Sequence, residues 1–189
     1  MPVVTITLLE GYDEETRQTI GERLTDAVRA TIAAPLDGIT IILHDLAAPV
    51  GYMRGRVSRT LGAPLPSPAK LVCACLDAAA ARDFDKVREM VADGFTSTYP
   101  GGAEFGSLEE LVPWAEERYR SVKETYERID DVACEEVVAV YAFGTLDGQW
   151  PDGTGFEGVR FIDRFTVRDG KLADQQVWND LAESRTPSA

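Results

Sequence analysis

Apolar residues follow two rhythms along this chain, and the changes of rhythm mark its elements. Val3 to Leu9 is a β-branched, apolar run of strand length that stops at Glu10-Gly11, a turn signal. From Asp13, a residue suited to cap a helix, Ile20, Leu24, Ala27, Val28, Thr31 and Ile32 recur at helical spacing until Pro35 ends the pattern. A second apolar strand, Ile39 to Leu43, follows. A helix of this length between two strands implies a parallel pair joined by a right-handed crossover. Residues 1–61 therefore read as one βαβ unit. Two strands and one helix bury too little to stand alone, so oligomerisation or support from the rest of the chain is expected.

Residues 62–68, Gly-Ala-Pro-Leu-Pro-Ser-Pro, remove the backbone donors that a helix or ladder needs and read as a short, stiff linker. A second domain spans 69–184, with 185–189 as a tail. It opens with an Ala-rich helix from about Ala69 to Ala81 and a second from Phe84 to Val91, and Gly94 to Gly106 reads as irregular. Ser107-Leu108-Glu109-Glu110 fits a capping box ahead of Leu108, Leu111, Val112, Ala115, Tyr119, Val122 and Tyr126, which predicts one long helix. Three strands are predicted at Val137 to Thr145, Gly158 to Val167 and Lys171 to Trp178, with Asp169-Gly170 as a hairpin turn between the last two. Helices followed by an antiparallel sheet make an α+β domain.

Composition narrows the function. Hydrophobic residues are 44% and charged residues 27% of 189, the balance of a chain with a real core. The net charge of −13 is uneven: residues 1–60 hold eight acids and six bases, and residues 61–189 hold 24 acids and 13 bases. That field repels phosphate backbones and anionic lipid, so no nucleic acid or membrane partner is expected and an uncharged or weakly charged small molecule is favoured. No apolar stretch is long enough to cross a bilayer and no secretion signal opens the chain, so the expected location is cytoplasmic. Cys73, Cys75 and Cys134 lack the spacing of a zinc or redox site, and His44 is the only histidine. Neither a His-based triad nor a multi-histidine metal site is available, so chemistry without a metal or other cofactor is expected.

Pro2 carries a secondary amine if Met1 is removed. An amine in an apolar pocket loses proton affinity and serves as a base or nucleophile near neutral pH, although proline at this position also follows from efficient trimming alone. Pro2-Val-Val-Thr-Ile-Thr-Leu-Leu-Glu-Gly11, the helix, and Ala34-Pro35-Leu36 before the second strand resemble the 4-oxalocrotonate tautomerase family over residues 2 to about 56. The resemblance implies an oligomeric βαβ unit with Pro2 as acid/base. Tyr12 and Thr40 stand where that family has its two substrate-binding arginines, which leaves Tyr12 a substrate contact without charge. Arg54 and Arg56 are alternative cations for the substrate or plain surface residues.

The opening helix with Asp83-Phe84-Asp85, the capped helix at Ser107, and Val167-Arg-Asp-Gly-Lys-Leu172 leading to Trp178-Asn-Asp180 resemble the SnoaL-like polyketide cyclases of the nuclear transport factor 2-like superfamily over about residues 69–184. The implied fold is a cone of helices on a curved, mainly antiparallel sheet whose interior admits a polycyclic substrate. In Phe161-Ile-Asp-Arg-Phe165, alternation puts Asp163 on one face with Phe161 and Phe165. A carboxylate among aromatics is costly to bury charged, so Asp163 is a proton-shuttle candidate; the structural alternative is a buried Asp paired with Arg160. The resemblance places Asp163 where the cyclases carry a catalytic histidine and Val177 where they carry an aspartate. Asp180 is a further acid/base candidate or a strand-end cap. Tyr99, Trp114, Tyr119, Tyr141, Phe143, Trp150, Phe161 and Trp178 are core or pocket wall; Tyr99, Trp114, Tyr141, Phe161 and Trp178 are singled out as substrate-binding.

The expected protein is an isomerase or cyclase of secondary metabolism that moves protons on a carbonyl-containing aromatic or polycyclic substrate, acting as a homo-oligomer. The rivals are a ligand-binding or scaffolding protein with decayed sites, and tautomerase chemistry from the first domain alone.

Overall fold

The computed structural model describes residues 1–47, 53–54, 57–58 and 61–185; at 53–54 and 57–58 the backbone alone is described. The chain divides into two compact units, Met1–Pro64 and Leu65–Ala189.

In the first unit, strand β1 (Val3–Leu9) pairs in parallel with β2 (Thr40–Leu46), in the register Val4 opposite Ile41 and Ile6 opposite Leu43. Helix α1 (Glu14–Thr31) makes the crossover, and the Asp13 carboxylate accepts from Thr16 N at 2.8 Å, which satisfies one of the free donors at the helix start. Alternation along β1 leaves Val4, Ile6 and Leu8 half-buried and Val3, Thr5 and Thr7 exposed. No residue of α1 is fully buried. A two-residue antiparallel pair, β3 (Met53–Arg54) and β4 (Val57–Ser58), closes the unit. The Arg54 side chain and the whole of Arg56 lie outside the described residues.

The second unit opens with α2 (Pro68–Ala80), capped by Ser67, and α3 (Phe84–Met90), capped by Asp83. Six strands follow: β5 (Val91–Tyr99), β6 (Ala103–Phe105), β7 (Ser121–Cys134), β8 (Val137–Gln149), β9 (Gly155–Arg168) and β10 (Lys171–Asn179). Their spatial order is β6-β5-β10-β9-β8-β7, antiparallel throughout except for the β5–β10 pair. Helix α4 (Leu111–Arg118) lies between β6 and β7, and a short α5 (Leu181–Ser184) ends the unit. Asp169 and Gly170 both adopt positive φ, 49° and 74°, as a tight hairpin between right-twisted strands requires.

Two expectations fail here. The long helix from Leu108 to Tyr126 is a turn, an eight-residue helix and then the first half of β7. Ser107 does accept from Glu110 N, and the Glu110 carboxylate accepts from Gly106 N, but these bonds close the turn ahead of α4, whose own cap position, Glu110, has no side-chain cap. The apolar positions that follow fit either period, because Val122 and Tyr126 are four apart and also on one face of a strand. Pairing with β8 along its whole length decides for the strand. The stretch Gly94 to Gly106 is not irregular either: it contributes most of β5 and all of β6. Its glycines sit at the β5 bend and in the turn, where Gly94, Gly101 and Gly102 have positive φ.

The inner face of the sheet has two ends. At one, α2 and α3 press Val72, Cys75, Ala78 and Val87 against Phe95, Val140, Phe165, Val167 and Leu172. At the other, Leu146, Trp150, Phe156, Val159, Phe161 and Leu181 form a second buried cluster. α2 and α3 do not contribute to this second cluster, and a cavity opens beside it.

Candidate active site

The cavity measures about 510 Å³ and is walled by Tyr99, Trp114, Tyr119, Trp150 and Phe161, with Asp163 and Glu124 as its two carboxylates. The strands explain the convergence. Asp163 faces inward with Phe161 and Phe165, and its neighbours across the sheet are Ala142 on β8 and Val177 on β10. Next along β8, Gly144 lies between Tyr126 and Phe161, whose rings meet edge to face at 5.4 Å. The small side chains of Ala142 and Gly144 leave this part of the floor to the carboxyl and the ring pair.

Asp163 is 3% exposed. Gln175 Nε2 donates to its Oδ2 at 3.2 Å, while Asp163 Oδ1, Gln175 Oε1 and Ser97 Oγ are buried without a partner. Burial drives the Asp163 carboxyl well above the usual carboxylate range, the charge of Glu124 adds to this, and the Gln175 hydrogen bond opposes it. Glu124 is raised too, chiefly by burial, against the hydrogen bond that the Tyr126 hydroxyl donates to its Oε2 at 2.5 Å. As a residue Glu124 counts as exposed. Its place in the cavity wall reconciles the two: the cavity admits water, yet protein surrounds the carboxyl and limits its solvation. Tyr99 and Tyr126 are held well above the phenol range, first by burial and then by the charges of these two acids. The site thus holds two acids of raised proton affinity and, in Tyr99, a wall phenol that stays protonated, while the Tyr126 proton is committed to Glu124; this arrangement is suited to passing a proton and to donating a hydrogen bond to an oxygen that gains charge.

Of the substrate-binding residues expected from sequence, Tyr99, Trp114 and Phe161 line this cavity. Tyr141 and Trp178 do not. Tyr141 and Phe143 stack with ring centroids 6.5 Å apart on the sheet's other face, where Trp178 pairs with Ile162 in register and is 50% exposed. Period two is the reason: odd positions of β9 point inward, so their neighbours point out. Asp180 does not reach the cavity either. It precedes α5 and pairs with Arg160 at 2.7 Å, which also removes Arg160 from Asp163.

In the first unit, Pro2 is half-buried immediately before β1, and its carbonyl accepts from Thr40 N at 3.1 Å. Met1 precedes it, 92% exposed, so the Pro2 nitrogen is an amide in this form of the chain. Tyr12 is half-buried and Thr40 exposed. Arg17 pairs with Asp45. Among the described residues no group of three His, Cys, Asp or Glu side chains is placed to hold a metal ion.

Sequence reasoning missed Glu124, Tyr126 and Gln175. The first two fell inside the stretch read as helix, where Glu124 sits on the polar side. Read as a strand, Val122-x-Glu124-x-Tyr126 puts one acid on an apolar face, the same signal that exposed Asp163.

Comparison with known proteins agrees with this division. Residues 72–175 match the model of the SnoaL-like domain, and residues 2–63 match that of the tautomerase enzymes. A tautomerase-family protein of Bacillus cereus is 37% identical over 46 residues, which is 24% of this chain and 75% of that one; a second, from Halalkalibacterium halodurans, is 39% identical over the same coverage. Among solved structures, TerC co-crystallized with polyporic acid superposes with a TM-score of 0.53 at 17% identity, over 62% of this chain and 95% of that one. An NTF2-like protein from Burkholderia thailandensis gives 0.52 at 18% identity, over 65% and 100%. The chain therefore belongs to the SnoaL-like family through its larger unit and to the tautomerase family through its smaller one.

Proposed function

We propose that the second unit is an isomerase or cyclase of secondary metabolism that transfers protons without a metal or organic cofactor. Its substrate is a carbonyl-containing aromatic or polycyclic small molecule, and the outcome is isomerisation, cyclisation or an aldol-type closure. The observation that carries this reading is Asp163: almost fully buried, lining an aromatic cavity, with one oxygen held by Gln175 and the other unpartnered. In this mechanism Asp163 takes the acidic proton beside the substrate carbonyl and returns it at a second position. Raised proton affinity suits both steps, because donor and acceptor are then closer in strength. Tyr99, a phenol in the cavity wall, donates to the enolate oxygen as charge develops there. Glu124, gripped by Tyr126, stays close enough to tune Asp163.

The test is deuterium exchange into 2-acetyl-1-tetralone in heavy water, followed by NMR. Asp163→Asn keeps the shape and removes the titrating group, so catalysed exchange is expected to fall by roughly two to four orders of magnitude with folding retained. A rate within a fewfold of the parent protein overturns the reading. Val177, opposite Asp163 where the family resemblance expects a second acid, favours the rival of a ligand-binding protein. That rival predicts binding of the diketone with no catalysed exchange in either protein.

For the first unit the proposal is narrower: a homo-oligomer in the cytoplasm, with Pro2 chemistry available once Met1 is removed. Exposed Val3, Ile32, Leu36 and Ile42 support association. A monodisperse monomer at micromolar concentration in light scattering, or retention of Met1 in the intact mass, counts against it.

A further inference from the structure

Two arginines line the cavity, and they differ from the ion-paired arginines of the second unit. Arg88, Arg128, Arg160 and Arg164 each pair with a carboxylate. Arg118, in the last turn of α4, and Arg185, just after α5, form no ion pair among the described residues, although acids outnumber bases 24 to 13 in residues 61–189. The Arg118 guanidinium instead lies 4.1 Å from the centre of the Trp114 ring, and that of Arg185 4.3 Å from the centre of the Trp150 ring. Both tryptophans and both arginines line the cavity, and the arginines are exposed, so they stand at its rim.

A guanidinium held over an aromatic ring keeps N–H donors available to bind a carboxylate. Tyr119 stands with them. Its ring is 5.6 Å from that of Trp150, and the positive charges of Arg118 and Arg185 both favour its phenolate against the effect of burial. The acids of the cavity, Asp163 and Glu124, form no ion pair with either arginine among the described residues; burial raises the proton affinity of both, and the Glu124 charge adds to that of Asp163. The cavity is therefore polarised, with acids of raised proton affinity in its wall and, at its rim, two arginines without an ion pair among the described residues.

We propose that the substrate is a flat aromatic molecule bearing a carboxylate, held at the rim by Arg118 and Arg185 while its hydroxy-carbonyl end meets Asp163. This rests on the proton-transfer reading of the same cavity and adds the charge of the substrate and the residues that select it. It also sharpens the uncharged or weakly charged substrate that net charge suggested to an anionic one, because a site's local field, and not the total, meets the ligand.

The test is calorimetric titration of the full chain with 6-acetyl-5-hydroxy-2-naphthoic acid and with its methyl ester, which share the ring and the far hydroxy-carbonyl end and differ in the charge. The parent protein is expected to bind the acid about tenfold more tightly than the ester, as charge-assisted bidentate contacts do relative to neutral ones. In R118Q/R185Q the ratio is expected to fall to within about threefold, and in R118K/R185K to lie between the two, since lysine keeps the charge and loses the fork. A far-ultraviolet spectrum like the parent's shows that each variant folds. Equal or tighter binding of the ester to the parent protein, a preference that survives R118Q/R185Q, or no binding of either ligand at millimolar concentration overturns the proposal. The proton-transfer reading fails by a different result, unchanged exchange into the neutral diketone in D163N, so the two are separable.

Discussion

The two units of this chain are built from the same pattern of alternating strands and capped helices, yet they reach different degrees of burial. The second unit has two buried clusters and Phe165, Leu172, Val72 and Val140 with essentially no exposed surface. In the first, Ala34 is the single fully buried residue among those described, and α1 has none. The difference is one of neighbours. The four inner strands of the six-stranded sheet are flanked on both sides, and α2 and α3 cover one end of its inner face, whereas β1 and β2 have one another and a single helix. Burial enough to isolate a carboxylate from water, and so to change its proton affinity, is available only in the larger unit.

Energetics of paired truncations sharpen this contrast most. Phe165→Ala is expected to cost about 3–5 kcal/mol in denaturant unfolding, the range for an emptied aromatic core site. Leu24→Ala, on the half-buried face of α1, is expected to cost roughly 1 kcal/mol, because little surface is removed from water. A Leu24→Ala cost close to that of Phe165→Ala, and dependent on protein concentration, breaks the comparison by showing that an assembly buries the first unit.

Gly144→Ala probes how tightly the larger unit is closed. A Cβ at Gly144 stands 2.1 Å from the Thr125 carbonyl oxygen and 2.8 Å from Phe161 Cε1, so backbone must move. A loss of about 1–3 kcal/mol is expected, with weaker ligand binding because the Phe161 ring shifts. Gly21→Ala, in α1 with open space at that position, is expected to stabilise its unit by up to about 1 kcal/mol. The opposite signs, measured as Tm shifts, separate a packed interior from an open helix face.

The pH dependence of stability distinguishes the units next. Asp163 and Glu124 bind protons more tightly folded than at their unfolded values, 3.8 and 4.5. Between those values and the higher folded ones the native state holds more protons, so the stabilising contribution is complete at low pH and is lost as pH rises. Thermal melts of the parent protein are expected to decline over that window, and Asp163→Asn to flatten the decline and to be no less stable at neutral pH. A steeper decline, or a Tm loss at neutral pH, shows that the Asp163 charge is paired after all.

The smallest effect is expected at the exposed Asp180–Arg160 pair. Asp180→Asn should change stability by less than about 1 kcal/mol and diketone exchange by no more than a fewfold, since an exposed ion pair is well screened by water. A loss of exchange as large as that of Asp163→Asn restores Asp180 to the chemistry.

Much of the fold was legible in the sequence because its signals were local. The β-branched run Val3–Leu9, the Asp13 cap, the Asp169-Gly170 hairpin and the alternation that turns Asp163 inward each depend on residues a few positions apart, and the structure keeps all of them. Local signals failed where two periods fitted one stretch. Val122 and Tyr126 suit a helix and a strand equally, and only pairing with β8, a contact with residues about twenty positions further on, selects the strand. With that stretch misread, Glu124 had no face to lie on and its place beside Asp163 was hidden. The pairing of Arg160 with Asp180, the outward turn of Tyr141 and Trp178, and the placing of Arg185 over Trp150 were likewise beyond local reading, whereas Arg118 over Trp114 is a pair four residues apart on one helix. The sequence by itself determined which elements form and which face of each is apolar, because propensity, capping and alternation act over a few residues. The tertiary structure decided which side chains share a cavity and with what charge, because that depends on strand order, register and curvature, which bring together residues far apart in the chain.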